Sequence, residues 1–395
     1  TEDGHGHNVA IGHQALKVQD AGADAYNIAI GSGAGAANTT GIANVFIGGV
    51  AGDVNTTGSR NIAIGLNALG SNTVGSKSVA IGDAALDAQN PGSATDMYNT
   101  AVGHAAGGAV TTGTNNTLIG GLAGDAITTG TSNTAVGTAA LTSNTTANDN
   151  VAVGVSSLET NTTGASNVAI SNNALLRNTT GSNNVAIGKQ ALSFNTTASN
   201  NTAVGFQAGF SNTTGTGMVA IGRLAGYSNS TADFNTFVGE AAGYTNSTGA
   251  SNTALGNTSL YDNTTGANNT AVGVSALANN TTASENTAVG KNSLLGNTTG
   301  TANTGTGMAS VANTTTGSYN SGFGRSALLQ NITGSNNTAM GYEALKNNST
   351  ASNNTAVGYQ AGLSNTTGVQ NTLFGAFAGD ALTEGTRNVA LGNAA

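Results

Sequence analysis

Apolar and polar positions recur along this chain with a period of 17 residues. One copy reads Asn201-Thr202-Ala203-Val204-Gly205-Phe206-Gln207-Ala208-Gly209-Phe210-Ser211-Asn212-Thr213-Thr214-Gly215-Thr216-Gly217. With that glycine at Gly205 numbered position 5, the same position holds Gly188, Gly222 and Gly239, and Ser171 is the one replacement among 23 copies. Position 4 is apolar in 22 copies and position 3 is Ala in 17. A fixed period of this length predicts a stacked solenoid, in which every copy is one coil. The expected fold is therefore all-β: a parallel β-roll or β-solenoid of 23 coils, forming a single repeat-built domain over 1–395. At ~4.8 Å per coil it would make a rod on the order of 110 Å long.

Seventeen residues suffice for two short strands and two turns. Neighbouring residues on a strand point to opposite faces, so positions 3 and 4 make both faces apolar. The β-branched side reads as the core, with Ile187, Val204, Ile221 and Val238 as its members. The small Ala side then packs on a second chain, because a strand apolar on both faces is normally buried on both. Position 9 is Leu in 12 copies and Gly in nine. Large residues at positions 7 or 10 (Phe210, Leu224, Tyr227, Tyr244, Leu363, Phe377) are expected to replace the missing bulk.

Position 1 is Asn in 21 copies, among them Asn27, Asn201, Asn252 and Asn354. Position 12 is Asn in 16 copies, among them Asn212 and Asn263. Stacked in register, these predict amide ladders. The period slips twice, by insertions near 19–26 and 89–98. Insertions into repeat proteins map to surface loops, so Asn90, Pro91 and Asp96 form a candidate recognition loop.

Composition narrows the function. Only 7% of the 395 residues are charged and the net charge is −8. No basic stretch exists to neutralise phosphates, which argues against a nucleic-acid partner. No apolar run reaches the roughly 20 residues that a membrane-spanning helix needs. Cysteine is absent. His5, His7, His13 and His104 are the only histidines. The Gly4-His5-Gly6-His7 run reads as a terminal stretch rather than a metal site. No nucleophile–base pair or spaced carboxylate pair stands out, so neither an enzyme nor a cofactor is expected. The Thr-Thr pairs at positions 13 and 14 invite an ice- or mineral-binding reading. Adjacent residues face opposite ways, so those pairs read instead as turn hydroxyls bonded to backbone.

The segments Asn8-Val9-Ala10-Ile11-Gly12 and Asn184-Val185-Ala186-Ile187-Gly188 resemble the head repeats of trimeric autotransporter adhesins. The longer form beginning Asn268-Asn269-Thr270-Ala271-Val272-Gly273 also resembles repeats of phage and bacterial tail-fibre-like proteins. The resemblance covers essentially the whole chain. It implies left-handed coils, a homotrimer, an extracellular, cell-surface or virion location, and attachment to a host or cell-surface glycan or protein. The expected function is a structural and adhesive fibre component, with phage host recognition and ice or mineral binding as alternatives. Because the repeat runs to both ends, the chain is expected to belong to a longer fibre or to stack end to end.

Overall fold

A computed structural model describes residues 6–395; His5 and the rest of the Gly4-His5 pair lie outside the described residues. The protein is an all-β parallel solenoid of about 23 coils. It divides into two compact units, Thr1–Ser199 and Asn200–Ala395, both built from the same coil. In each coil a single three-residue strand covers positions 2–4, as in Val45–Ile47 or Thr270–Val272. Within each unit the strands pair in parallel, without register slip, with the strand of the following coil: Ile62 opposite Val79 in the first unit, Thr253 opposite Thr270 in the second. Apart from the two-residue strands Gly75–Ser76 and Thr95–Asp96, the second strand expected in each coil is replaced by turns.

Those turns explain the shortfall. Positions 7, 9 and 17 are left-handed in coil after coil, for example Gln190 (φ 60), Leu192 (φ 49) and Asn183 (φ 59). A strand cannot continue through such residues, and a left-handed L-residue costs roughly 1–2 kcal/mol. Position 5 is more demanding still. Gly205, Gly222 and Gly239 sit at φ 132–137, and a Cβ on each would fall 2.5 Å from the carbonyl oxygen of the next coil's glycine. Gly188 holds the same conformation at φ 131. Ser171 is accommodated with its φ drawn back to 110.

The inside and outside of the strand are the reverse of the expectation. Ala at position 3 is fully buried (Ala186, Ala203, Ala220), while Ile187 and Ile221 are 37% and 40% exposed and Val204 and Val238 are half-buried. A three-residue strand can send only its middle side chain inward, and a 17-residue coil encloses little space. Position 3 therefore shares the interior with Ala at position 8 and Leu at position 9, as in Ala186, Ala191 and Leu192. Positions 2 and 4 together face outward.

At eight of the nine position-9 glycines, all but Gly209, the lost bulk is recovered at position 3, not at positions 7 or 10. Phe46 fills the space above Gly35 and Gly52, Leu118 that of Gly107 and Gly124, Phe237 that of Gly226 and Gly243, and Leu373 that of Gly362 and Gly379. Each bulky residue is fully buried, and a Cβ on any of those glycines would run into it. At these four places interior volume is kept by pairing one large side chain with two glycines. Phe210, Tyr227, Tyr244, Leu224, Leu363 and Phe377 lie on the outer side instead.

Candidate functional site

The interior holds a second, polar compartment. Asn27, Asn201, Asn252, Asn354, Asn212 and Asn263 are all fully buried. In one coil, Asn252 at position 1 and Asn263 at position 12 both donate through Nδ2 to the carbonyl of Gly266 at position 15, at 2.8 and 2.9 Å. Between coils the two columns differ. At position 12 the contact is amide to amide: Asn263 Nδ2 donates to Asn246 Oδ1 at 2.6 Å, and Asn280 Nδ2 donates to Asn263 Oδ1 at 2.7 Å. Asn212 likewise receives Asn229 Nδ2 at 3.1 Å. At position 1 the side chain accepts from the next coil's backbone: Asn44 N–H to Asn27 Oδ1 at 2.9 Å, Met218 N–H to Asn201 at 2.8 Å, and Asn371 N–H to Asn354 at 2.9 Å. Buried amides are costly unless satisfied, and these columns satisfy them by repetition. Where the column stops against Leu382, Asn365 Oδ1 is left without a partner. Burial also removes the position-12 Asn-x-Thr sequons from any glycosylating enzyme acting on the folded chain.

Both insertions leave the stack intact. Strand Val79–Ile81 pairs in register with Thr100–Val102 across the longer one. The two long coils carry Gln, not Asn, at position 12. Gln89 exchanges hydrogen bonds with Ser78 and accepts from Asn99 Nδ2 at 3.0 Å; Gln19 accepts from Asn27 Nδ2 at 3.0 Å and also from Asn38. The extra methylene lets the amide reach the column from a displaced backbone. This signal is present in the sequence and readable once the column is known.

The longer loop returns through a two-residue strand, Thr95–Asp96, paired with Gly75–Ser76. Asn90 is exposed and receives Thr73 Oγ1 at 2.9 Å; Pro91 is half-buried. Exposed Asp96 receives Lys77 Nζ at 2.7 Å, and the same ammonium donates to Tyr98 Oη at 3.0 Å and lies 5.0 Å from that ring's centroid. The hydrogen bond to Lys77 holds the Asp96 carboxyl below its usual range and the bond to Asp96 holds Lys77 above its own. The first insertion has a related cluster: Tyr26 stacks on His7 at 5.2 Å and its hydroxyl donates to Asp24 at 3.4 Å. These groups partner one another. Among the described residues no three His, Cys, Asp or Glu side chains converge as a metal site.

The outer surface is otherwise organised in columns. Phe210, Tyr227, Tyr244 and Tyr261 stack at 5.1–5.2 Å, and Tyr342 stacks on Tyr359 at 5.3 Å with Phe377 edge-on at 5.2 Å. Thr at position 13 donates from Oγ1 to the next coil's carbonyl, as Thr264 does to Thr281 O at 3.0 Å. The bonded backbone belongs to the neighbouring coil, so these hydroxyls stitch coils together. The sheet face also turns outward, and its positions 2 and 4 carry no charged residue in any coil. No helix among the described residues is long and apolar enough to cross a membrane. Compared with models of known protein families and with curated proteins, the sequence matches none.

Proposed function

We propose that this chain is a non-catalytic structural and adhesive component of an extracellular fibre, in which several copies pack together through the outward sheet face. The observation that carries this reading is the double aliphatic column of the first unit. Val45 and Ile47, Ile62 and Ile64, and Val79 and Ile81 face outward in three successive coils, in register. A contiguous apolar face of this kind marks an interaction surface. Its neighbours in the stack repeat the same contact, so a modest gain per coil multiplies along the axis. The adhesin-like repeats imply three copies and left-handed coils, and the same repetition suits shallow multivalent attachment to a cell-surface glycan or protein. The Asn268–Gly273 form favours a virion fibre as the second reading of the same assembly.

Sedimentation of the purified chain tests it. The wild type should sediment as an oligomer, and the combined Ile47→Lys, Ile64→Lys and Ile81→Lys variant should sediment as a monomer with its solenoid retained. A wild type that stays monomeric at high concentration would sink the proposal.

A further inference from the structure

The sheet face over Thr236–Thr306 has a different chemistry from the aliphatic stretch Val45–Ile81. Thr236, Thr253, Thr270, Thr287 and Thr304 occupy position 2 in five successive coils, each opposite the next in the parallel ladder. Position 4 of the same strands is Val238, Leu255, Val272, Val289 and Thr306. Residues two apart on a strand share a face, so the two columns run side by side, roughly 6.6 Å apart and repeating every ~4.8 Å. The strands are locked by their backbone ladder, which makes this a rigid two-dimensional array.

The hydroxyls of that array are uncommitted. Position-13 threonines in the same coils spend their protons on backbone carbonyls: Thr264 on Thr281, Thr281 on Thr298 and Thr298 on Thr315, at 2.9–3.0 Å. The five position-2 threonines make no side-chain hydrogen bond to the protein among the described residues. Each hydroxyl has one donor and two acceptor sites that water must fill. Held in rows by the strands, those waters take on the strand repeat. The methyl groups between them offer no competing donor or acceptor, and no charge on the face pulls water into another arrangement.

We propose that the sheet face over Thr236–Thr306 binds ice. Its chemistry selects crystalline water over other periodic surfaces. An ionic mineral would call for carboxylates or ammonium groups, and the face has neither. A crystalline polysaccharide would call for exposed aromatic rings, and the only ring in these strands, Phe237, is fully buried. The stretch of Thr beside a small aliphatic or Thr side chain ends before Ser321 and Phe323, the latter 39% exposed at position 4. The position-14 threonines (Thr248, Thr265, Thr282) are more exposed than the position-2 set, of which only Thr253 is fully exposed and the others half-buried, but they sit on a turn and form one column without a neighbour on a shared strand face. The fibre reading rests on the aliphatic stretch Val45–Ile81, and this inference requires the stretch Thr236–Thr306 to stay open to water.

Thermal hysteresis and inhibition of ice recrystallisation by the full purified chain test it. The wild type should show both. The Thr253→Lys, Thr270→Lys and Thr287→Lys combination should lose both, while Thr248→Lys, Thr265→Lys and Thr282→Lys together should keep them. The combination Thr253→Val, Thr270→Val and Thr287→Val, which preserves shape and folding, should weaken the activity through loss of the hydroxyls alone. No hysteresis in the wild type, or activity that follows the position-14 set, overturns the proposal. So does an inactive wild type whose oligomer the position-2 lysines dissociate, since the occupant would then be a second copy of this chain.

Discussion

The sheet face around Ile62 and Ile64 and the face around Thr270 and Val272 are built on one backbone. Both present positions 2 and 4 outward, both lie over a buried Ala at position 3, and both pair in register with the next coil. At position 2 the first unit's Val45 and Val79 correspond to threonines in the second, a change of one methyl for one hydroxyl. Shape is almost unaltered, yet Val and Thr are not interchangeable where solvent or a partner is met. The repeat thus separates two roles that most folds entangle. Buried positions 1, 3, 9 and 12, with the turn glycine at position 5, hold the coil; positions 2 and 4 face outward and vary without disturbing it.

If that separation is right, perturbing the shared interior should damage both regions alike. The largest effect is expected at position 5. Gly65 and Gly239 both sit at φ 135, with the next coil's carbonyl where a Cβ would go. Gly65→Val and Gly239→Val should each cost about 1–3 kcal/mol from the backbone conformation alone, with the steric clash added. Calorimetry should show comparable loss of cooperative melting for both. A much milder effect at one site would mean that the coils are not equivalent.

The next effect is at the large interior residues, Phe46 in the first region and Phe237 in the second. Phe46→Ala and Phe237→Ala should each lose about 3–5 kcal/mol, measured by denaturant unfolding. Adding Gly35→Leu and Gly52→Leu to Phe46→Ala should restore part of that loss, because it recreates the Ala–Leu interior of the regular coils. No recovery would refute the volume-exchange rule.

The smallest effect is one that should break the symmetry. Asp53 and Asp87 lie in the first region, and burial raises both carboxyl groups above their usual range, with Asp87 adding like-charge repulsion to Asp53 and Asp83 to Asp87. A carboxyl raised in the folded state binds its proton more tightly there than in the unfolded chain. Its ionised form therefore opposes folding at neutral pH, and stability rises as pH falls from 7 toward about 4. Asp96 acts in the opposite sense: its depressed value stabilises above the unfolded pKa and is lost on acidification. Asp53→Asn with Asp87→Asn should raise stability slightly at pH 7 and reduce the gain seen on acidification. An unchanged pH profile would exclude these groups as its source.

Much of this was legible in the residues. The 17-residue recurrence of Gly205, Gly222 and Gly239 called for stacked coils, and the recurrence of Asn252 and Asn263 called for amide columns. The exchange of Leu for Gly at position 9 is also visible in the sequence, but Phe210 and Tyr227, the rings it points to, do not fill the interior. Those rings are conspicuous in a chain with few aromatics, yet they stack on one another outside the coil. The residues that do compensate, Phe46, Leu118, Phe237 and Leu373, follow a position-9 glycine by 11 residues each time. That covariation could have been read without coordinates. Gln19 and Gln89 could have been too, as the only glutamines at position 12, one in each long coil.

What the sequence determined by itself was the repeat, the parallel stacking and the absence of charge on the strand, because period and alternation are properties of one dimension. Alternation places positions 3 and 4 on opposite faces but is silent about which face is inside. That was decided by closure of the coil. The left-handed residues at positions 7, 9 and 17 and the glycine at position 5 turn the chain so tightly that Ala fits within and Ile does not. Once Ala186 is inside, Ile187 must be outside, and the residues that looked most like a core become the outer surface of the coil.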